Sequence, residues 1–200
     1  MPRPRTVADQ DVLAAAAAAV AAVGPAAVTL AEIGARAGLA PATLVQRFGS
    51  KRGLLLALAR HDAQALPRQL SLAASADAPI AALIDTLGRL AAGVRTTAEF
   101  ANHLAFLMLD LTDPEFQQVS RDYANAVEEA IASVLEASRA AGELDTPSRD
   151  QGQLARAVHA AYNGALVTWG MTGEGRPSEE VTRQLRQLLT AHLAQTPPTQ

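Results

Sequence analysis

The 200-residue chain has no cysteine. A disulfide framework, a thiolate zinc site and a cysteine nucleophile are therefore excluded, and the composition fits a reducing compartment. Aromatic residues make up only 4% of positions and glycine supplies 13, so little favours a pleated sheet. No uninterrupted apolar run reaches the roughly 18 residues a membrane helix needs. Ala14–Val23 is apolar enough to suggest a signal peptide, but it is alanine-rich, and Gly24-Pro25 leads straight into another patterned segment. What the chain does have is alanine, at 45 positions. Alanine loses no side-chain entropy in a helix. With 49% of its residues apolar, the chain can also bury a substantial interior. Together these features predict a soluble, cytoplasmic, all-α protein.

The formal net charge of −3 hides an asymmetry. The first 60 residues carry Arg3, Arg5, Arg36, Arg47, Lys51, Arg52 and Arg60 against Asp9, Asp11 and Glu32, a net of +4. The remaining 140 carry a net of −7. A basic head on an acidic body suits an anion-binding module joined to something that binds no anion. Chance clustering of solvated arginines gives the same arithmetic, so motifs must decide.

Helix signals recur along the chain. Thr6-Val-Ala-Asp9 has the spacing of a capping box ahead of Val12, Leu13, Ala16, Val20 and Val23, and Gly24-Pro25 stops that first helix. A second box, Thr29-Leu-Ala-Glu32, opens a short helix with Leu30, Ile33 and Ala37 on one face, ended by Gly38. Pro41 stands at the first position of a third helix, where Leu44 and Phe48 form an i, i+4 pair. Ser50 caps a fourth helix through Leu54, Leu55 and Leu58, which Pro67 kinks or ends. A fifth carries Ile80 to Leu90, and Thr96-Thr-Ala-Glu99 opens a sixth. Asp113-Pro114 opens a long seventh, closed by Gly142. Ser148-Arg-Asp-Gln151 opens an eighth, and Pro177 precedes a ninth. The expectation is about nine helices in two domains. Residues 1–50 form a three-helix head, and residues 51–200 a helical bundle, with the fourth helix as connector.

Helices two and three, joined at Gly38-Leu39, have the spacing of a helix-turn-helix, whose second helix enters the DNA major groove. Leu39, Leu44 and Phe48 lock the third helix onto the first two, leaving Pro41, Ala42, Thr43, Val45, Gln46 and Arg47 outward. Such a face has small residues for close approach, a hydroxyl for phosphate, and Gln and Arg for base edges. Lys51 at the start of the fourth helix is a phosphate candidate. Thr29 and Arg36 on the preceding helix complete the candidate DNA-binding set. Taken bare, the pattern also fits any two short amphipathic helices around a glycine.

The residues are more specific than the bare pattern. Val12-Leu13, Gly24, and then Thr29-Leu30, Ile33-Gly34, Ala37-Gly38-Leu39, Thr43-Leu44, Phe48 and Ser50-Lys51 stand in unbroken register. Over about residues 8–60 the chain closely resembles the N-terminal domain of TetR-family transcriptional regulators. That resemblance implies a homodimer, an operator with two-fold symmetry, and a C-terminal pocket whose ligand changes DNA affinity, with repression the usual outcome. Several positions depart from the family pattern. Val45 replaces an aromatic, Arg47 an aromatic or histidine, Ala40 a serine cap, Gly53 an acidic residue, and Val20 a phenylalanine. Loss of the cap at Ala40 costs about 1 kcal/mol of local helix stability.

Six of the seven aromatics lie after residue 60. At helical spacing each reads first as core, and second as lining for an apolar pocket with a few polar groups among them. The pocket candidates are Asn102, His103, Phe106, Asp110, Tyr123, Tyr162, Asn163 and Trp169. His103 and Asp110 are two helical turns apart, a weak metal pattern, and the other histidines are too far away in sequence to add to it. No metal or other cofactor is expected. HExxH, GxSxG and a glycine-rich phosphate loop are all missing, so an enzyme is not expected. The leading expectation is a ligand-responsive transcriptional regulator, a repressor released from a palindromic operator by a small apolar molecule. It would dimerise through the eighth and ninth helices, with Trp169, Leu185 and Leu188 at or near the interface. The alternative is a helical small-molecule carrier or sensor whose DNA head no longer works.

Overall fold

The computed structural model describes residues 7–145 and 150–194. Every named element among them is a helix: α1 (Asp9–Ala27), α2 (Leu30–Ala37), α3 (Pro41–Phe48), α4 (Lys51–Asp62), α5 (Ala65–Ala73), α6 (Pro79–Ala92), α7 (Thr97–Thr112), α8 (Pro114–Ala140), α9 (Gln151–Thr172) and α10 (Pro177–Thr190). One isolated antiparallel bridge joins Leu144 to Leu193. The all-α expectation holds, with one more element than the sequence suggests.

The extra element comes from residues 51–73. A helical Pro67 could not donate to the carbonyl of residue 63, and its ring would strike that carbonyl. The chain turns at Ala63-Gln64 instead, which places Pro67 in the first turn of α5, where a missing N–H costs nothing. At the other end of the head, Gly24 leaves the helical conformation at φ +79°, ψ 162° and breaks α1 before Pro25. Counted whole, α1 is long and apolar enough to cross a membrane, yet Val12, Leu13, Ala16, Ala19 and Val20 are buried in the protein core. Its N-cap is Ala8, with no side-chain bond, and Thr6 lies outside the described residues. Ser148 lies outside them too, and α9 begins after Asp150 without a side-chain cap.

The chain divides into two compact units. Among the described residues, the first holds 7–64 and 98–121, the second 65–97, 122–145 and 150–194. In the first, Val12, Leu13 and Ala16 of α1, Ile33 of α2, Leu44 of α3 and Leu54, Leu55 and Leu58 of α4 share one core. Phe116, from the first turn of α8, fills that core and is 1% exposed. Phe106 meets it edge-on, ring centroids 6.1 Å apart. In the second unit α10 packs against α6 and α9, and α5 against α6. Val127, Ile131 and Leu135 of α8, Leu154 and Val158 of α9, and Leu185 and Leu189 of α10 are buried.

Candidate nucleic-acid interface

The turn between α2 and α3 is fixed from both sides. Thr29 Oγ1 accepts from the Glu32 N–H at 3.2 Å, and the Thr29 N–H donates to Glu32 Oε2 at 2.8 Å, a complete capping box. The Thr29 hydroxyl, donating to Glu32 Oε2 at 2.9 Å, and then the Thr29 N–H hold the Glu32 carboxyl below its usual range. Gly38 takes the left-handed conformation, φ 69° and ψ 31°, which closes α2 without a Cβ penalty. Pro41 opens α3 behind Ala40, which makes no side-chain cap bond.

Leu44 is fully buried, and Phe48, one turn on, is half-buried. This pins one face of α3 and leaves Pro41, Ala42, Val45 and Gln46 exposed, with Thr43 half-buried. The Gln46 amide has no hydrogen-bond partner among the described residues. Arg36 is exposed on α2, whereas the Thr29 hydroxyl is engaged with Glu32.

Two cations are not where the sequence suggests. Arg47, expected among the outward residues, folds back along α3. Nη1 donates to the Val7 carbonyl at 2.9 Å, and Nη2 pairs with the Asp9 carboxylate. Its guanidinium carbon lies 5.7 Å from the Phe48 ring centroid. The cause is tertiary: residue 47 sits in the last turn of α3 beside the start of α1. Lys51 Nζ donates to the Ala26 carbonyl at 2.8 Å and ties α4 to the end of α1.

The first turn of α4 is a junction that spacing along the chain does not reveal. Ser50 Oγ accepts from the Gly53 N–H at 3.0 Å. A Cβ on Gly53 would overlap the Phe48 carbonyl oxygen, so the missing acidic residue there permits a close approach of α3 and α4. Arg52 binds both Asp113 oxygens, at 2.8 and 2.7 Å, and Glu115 at 2.7 Å. Arg52 thereby holds the Asp113 carboxyl below the ordinary range. The partners are 61 residues apart, too far for any helical periodicity to register.

The pocket candidates divide between the units. Asn102, His103, Phe106 and Asp110 fall in the first, and Tyr123, Tyr162, Asn163 and Trp169 in the second. Asn102 Nδ2 donates to the Ala21 carbonyl at 2.8 Å beside the Gly24 break. His103 is exposed, and the Asp110 side chain lies outside the described residues. Asn163 is exposed on α9. Trp169 is buried, its Nε1 donating to the Gly175 carbonyl at 3.2 Å. Leu185 is likewise buried within the protomer, so neither it nor Trp169 is available to a partner.

Tyr123 and Tyr162 are half-buried, and burial raises both phenols above their usual range. His159, one turn before Tyr162 on α9, meets Tyr123 edge-on with centroids 6.1 Å apart. It lies 3.9 Å from Glu128. No cluster of metal-ligand type occurs among the described residues. Two open grooves of about 620 and 520 Å³ lie between α6 and α10, lined by Asp85, Arg186 and their neighbours, and contain none of the eight candidates.

Residues 12–58, the whole of this helix-turn-helix unit, match the family model for bacterial regulatory proteins of the tetR family. The chain carries a tetR-family domain over those residues. No curated protein matches it by sequence. Solved structures share the chain's fold over nearly its whole length. A transcriptional regulator from Rhodococcus sp. Rha1 aligns with a TM-score of 0.74 at 17% identity, covering 95% of this chain and 100% of the other. SmeT, the repressor of the Stenotrophomonas maltophilia multidrug efflux pump SmeDEF, gives 0.70 at 22% identity, covering 96% and 95%. Its triclosan complex gives 0.71 at 20%, with the same coverage. NalD, the secondary repressor of MexAB-OprM in Pseudomonas aeruginosa, gives 0.64 at 18%, covering 92% and 95%.

Proposed function

We propose that this protein is a homodimeric repressor that binds a palindromic operator through α3 and is released by a small, mainly apolar molecule. The observation that carries this reading is the face of α3. Leu44 anchors the helix, while Pro41, Ala42, Val45 and Gln46 stand exposed in a TetR-family head. On this reading residues 1–50 bind DNA and residues 51–200 bind the effector and the second subunit. The half-buried Tyr123 and Tyr162 offer two hydroxyls in apolar surroundings, the lining such an effector needs. Binding of a small molecule has a parallel in SmeT, solved as a complex with triclosan. The predicted eighth and ninth helices are α9 and α10, and they remain the proposed dimer contact. On α9, Ala160, Gly164, Val167 and Met171 are exposed on one face, with open space around Gly164.

The test is a salt titration of binding to the DNA upstream of the chain's own gene and to a scrambled duplex. Gln46→Ala is expected to cost about 1–3 kcal/mol on the true site and little on the scrambled one. Lys51→Ala is expected to weaken both about equally and to lower the salt slope by about one per protomer, once its ammonium exchanges Ala26 for phosphate. Loss of sequence preference in Lys51→Ala, with preference intact in Gln46→Ala, would overturn the placement of α3 in the groove. An effector qualifies only if its affinities for free and DNA-bound protein differ.

A further inference from the structure

Arg47 is the one charged residue of α3, and it is turned away from the exposed face of that helix. Its two terminal nitrogens are engaged by the Val7 carbonyl and the Asp9 carboxylate, and its guanidinium carbon lies 5.7 Å from the Phe48 ring centroid. The planar fork that pairs with guanine O6 and N7 is therefore occupied within the head. What stands exposed is Pro41, Ala42, Val45 and Gln46, and Val45 keeps 45% of its surface. Ala42, Val45 and Gln46 fall at i, i+3 and i+4, so their side chains adjoin on one strip of the helix. That strip sets a small apolar patch beside a single amide and carries no charge of either sign. The amide has no hydrogen-bond partner among the described residues.

We propose that this face selects an A·T step in the major groove, where Gln46 reads adenine while Val45 and Ala42 cover the C5-methyl group of thymine. The inference rests on the DNA-binding reading above and deepens it by naming the bases. Each exposed group has one base edge that suits it. A glutamine amide is acceptor and donor at once, and among the four edges only adenine sets an N7 acceptor beside an N6 donor. Guanine presents two acceptors there, and the amide oxygen can satisfy neither. An aliphatic side chain gains by removing another apolar group from water, and the thymine methyl is the one such group on the major-groove edges. The spacing agrees. Side chains one helical turn apart have Cβ atoms about 5–6 Å from each other, and successive bases rise by about 3.4 Å. The amide and the valine therefore face the same base pair or adjacent ones. On this assignment Arg47 holds α3 to the start of α1 and reads no base.

The experiment selects a site from a randomised duplex pool with the full, unmodified chain and then edits that site group by group. Deoxyuridine in place of thymine removes only the methyl, and a deaza-adenine lacking N7 removes only that acceptor. Loss of each covered methyl is expected to weaken binding about fourfold. In Val45→Ala the deoxyuridine effect should shrink to less than about twofold. In Gln46→Ala it should persist, while the effect of the deaza-adenine disappears. Arg47→Met is expected to leave both effects and the selected sequence as they are. A deoxyuridine site bound as tightly as the thymine site would overturn the inference while leaving the DNA-binding reading intact. So would a selected G·C core whose preference is lost in Arg47→Met, since Arg47 would then be a base reader. The base edits leave the protein untouched, so they decide the matter even if a variant fails to fold, which thermal melts detect. Absence of any DNA binding by the unmodified protein would overturn both readings at once.

Discussion

His159 is held between Tyr123 and Glu128, and the two neighbours act on it in opposite senses. Burial lowers its pKa from the ordinary 6.5, and the Glu128 carboxylate partly restores it. A depressed folded-state value means that the unfolded chain binds the proton first. The contribution of His159 to stability is therefore complete above about pH 6.5 and is lost as the pH falls through the lower folded value. Denaturant melts at a series of pH values should show stability declining below 6.5, and His159→Gln should remove that part of the decline. A variant with the same acid slope as the parent would show that burial of the ring is not the cause. At this scale the sequence is readable where one helix face decides. Leu44 and Phe48, four apart, mark the inner side of α3, and Val45 and Gln46 duly stand outside. It is silent where partners come from afar. Arg47 meets Asp9 across 38 positions, and no periodicity records that.

Helix ends are written locally, so most were legible. Thr29 with Glu32, Gly38, Pro41 and Ser50 each solve the problem of unpaired terminal amides or carbonyls within a turn of their own position. The division between α4 and α5 was not, because the turn at Ala63-Gln64 contains neither glycine nor proline and answers a proline three residues further on. Helix-to-helix distance is less legible still, as Gly53 shows. Glycine inside a helix is normally a defect of about 0.5–1 kcal/mol relative to alanine, which by propensity alone makes Gly53→Ala stabilising. Here the added Cβ would overlap the Phe48 carbonyl oxygen, a backbone atom that moves only with the end of α3. Separation of two packed helices outweighs a propensity term of that size. Gly53→Ala is expected to lower the melting temperature and weaken operator binding. A rise in melting temperature would mean that α3 and α4 shift apart at no cost.

The sequence suggests a head that is finished by residue 50, because the motif ends there and the charge changes sign soon after. The compact unit is not continuous: residues 98–121 return to it, and Phe116 occupies its core. That return is a property of packing, and nothing in residues 1–64 announces it. Truncating a fully buried phenylalanine costs roughly 3–5 kcal/mol, a large share of the about 5–15 kcal/mol that holds a typical domain together. A fragment of residues 1–64 is accordingly expected to melt without cooperativity, and Phe116→Ala to destabilise the intact chain by roughly that amount. A fragment with a sharp transition near that of the full protein would count against this. The same arrangement orders events on the ribosome. Helix α3 is synthesised early, but the side chain that completes its support is added more than fifty residues later. A chain still being translated through α5 and α6 carries α3 on an unfilled core and, on the function proposed above, becomes competent to bind DNA only once α8 has begun to emerge.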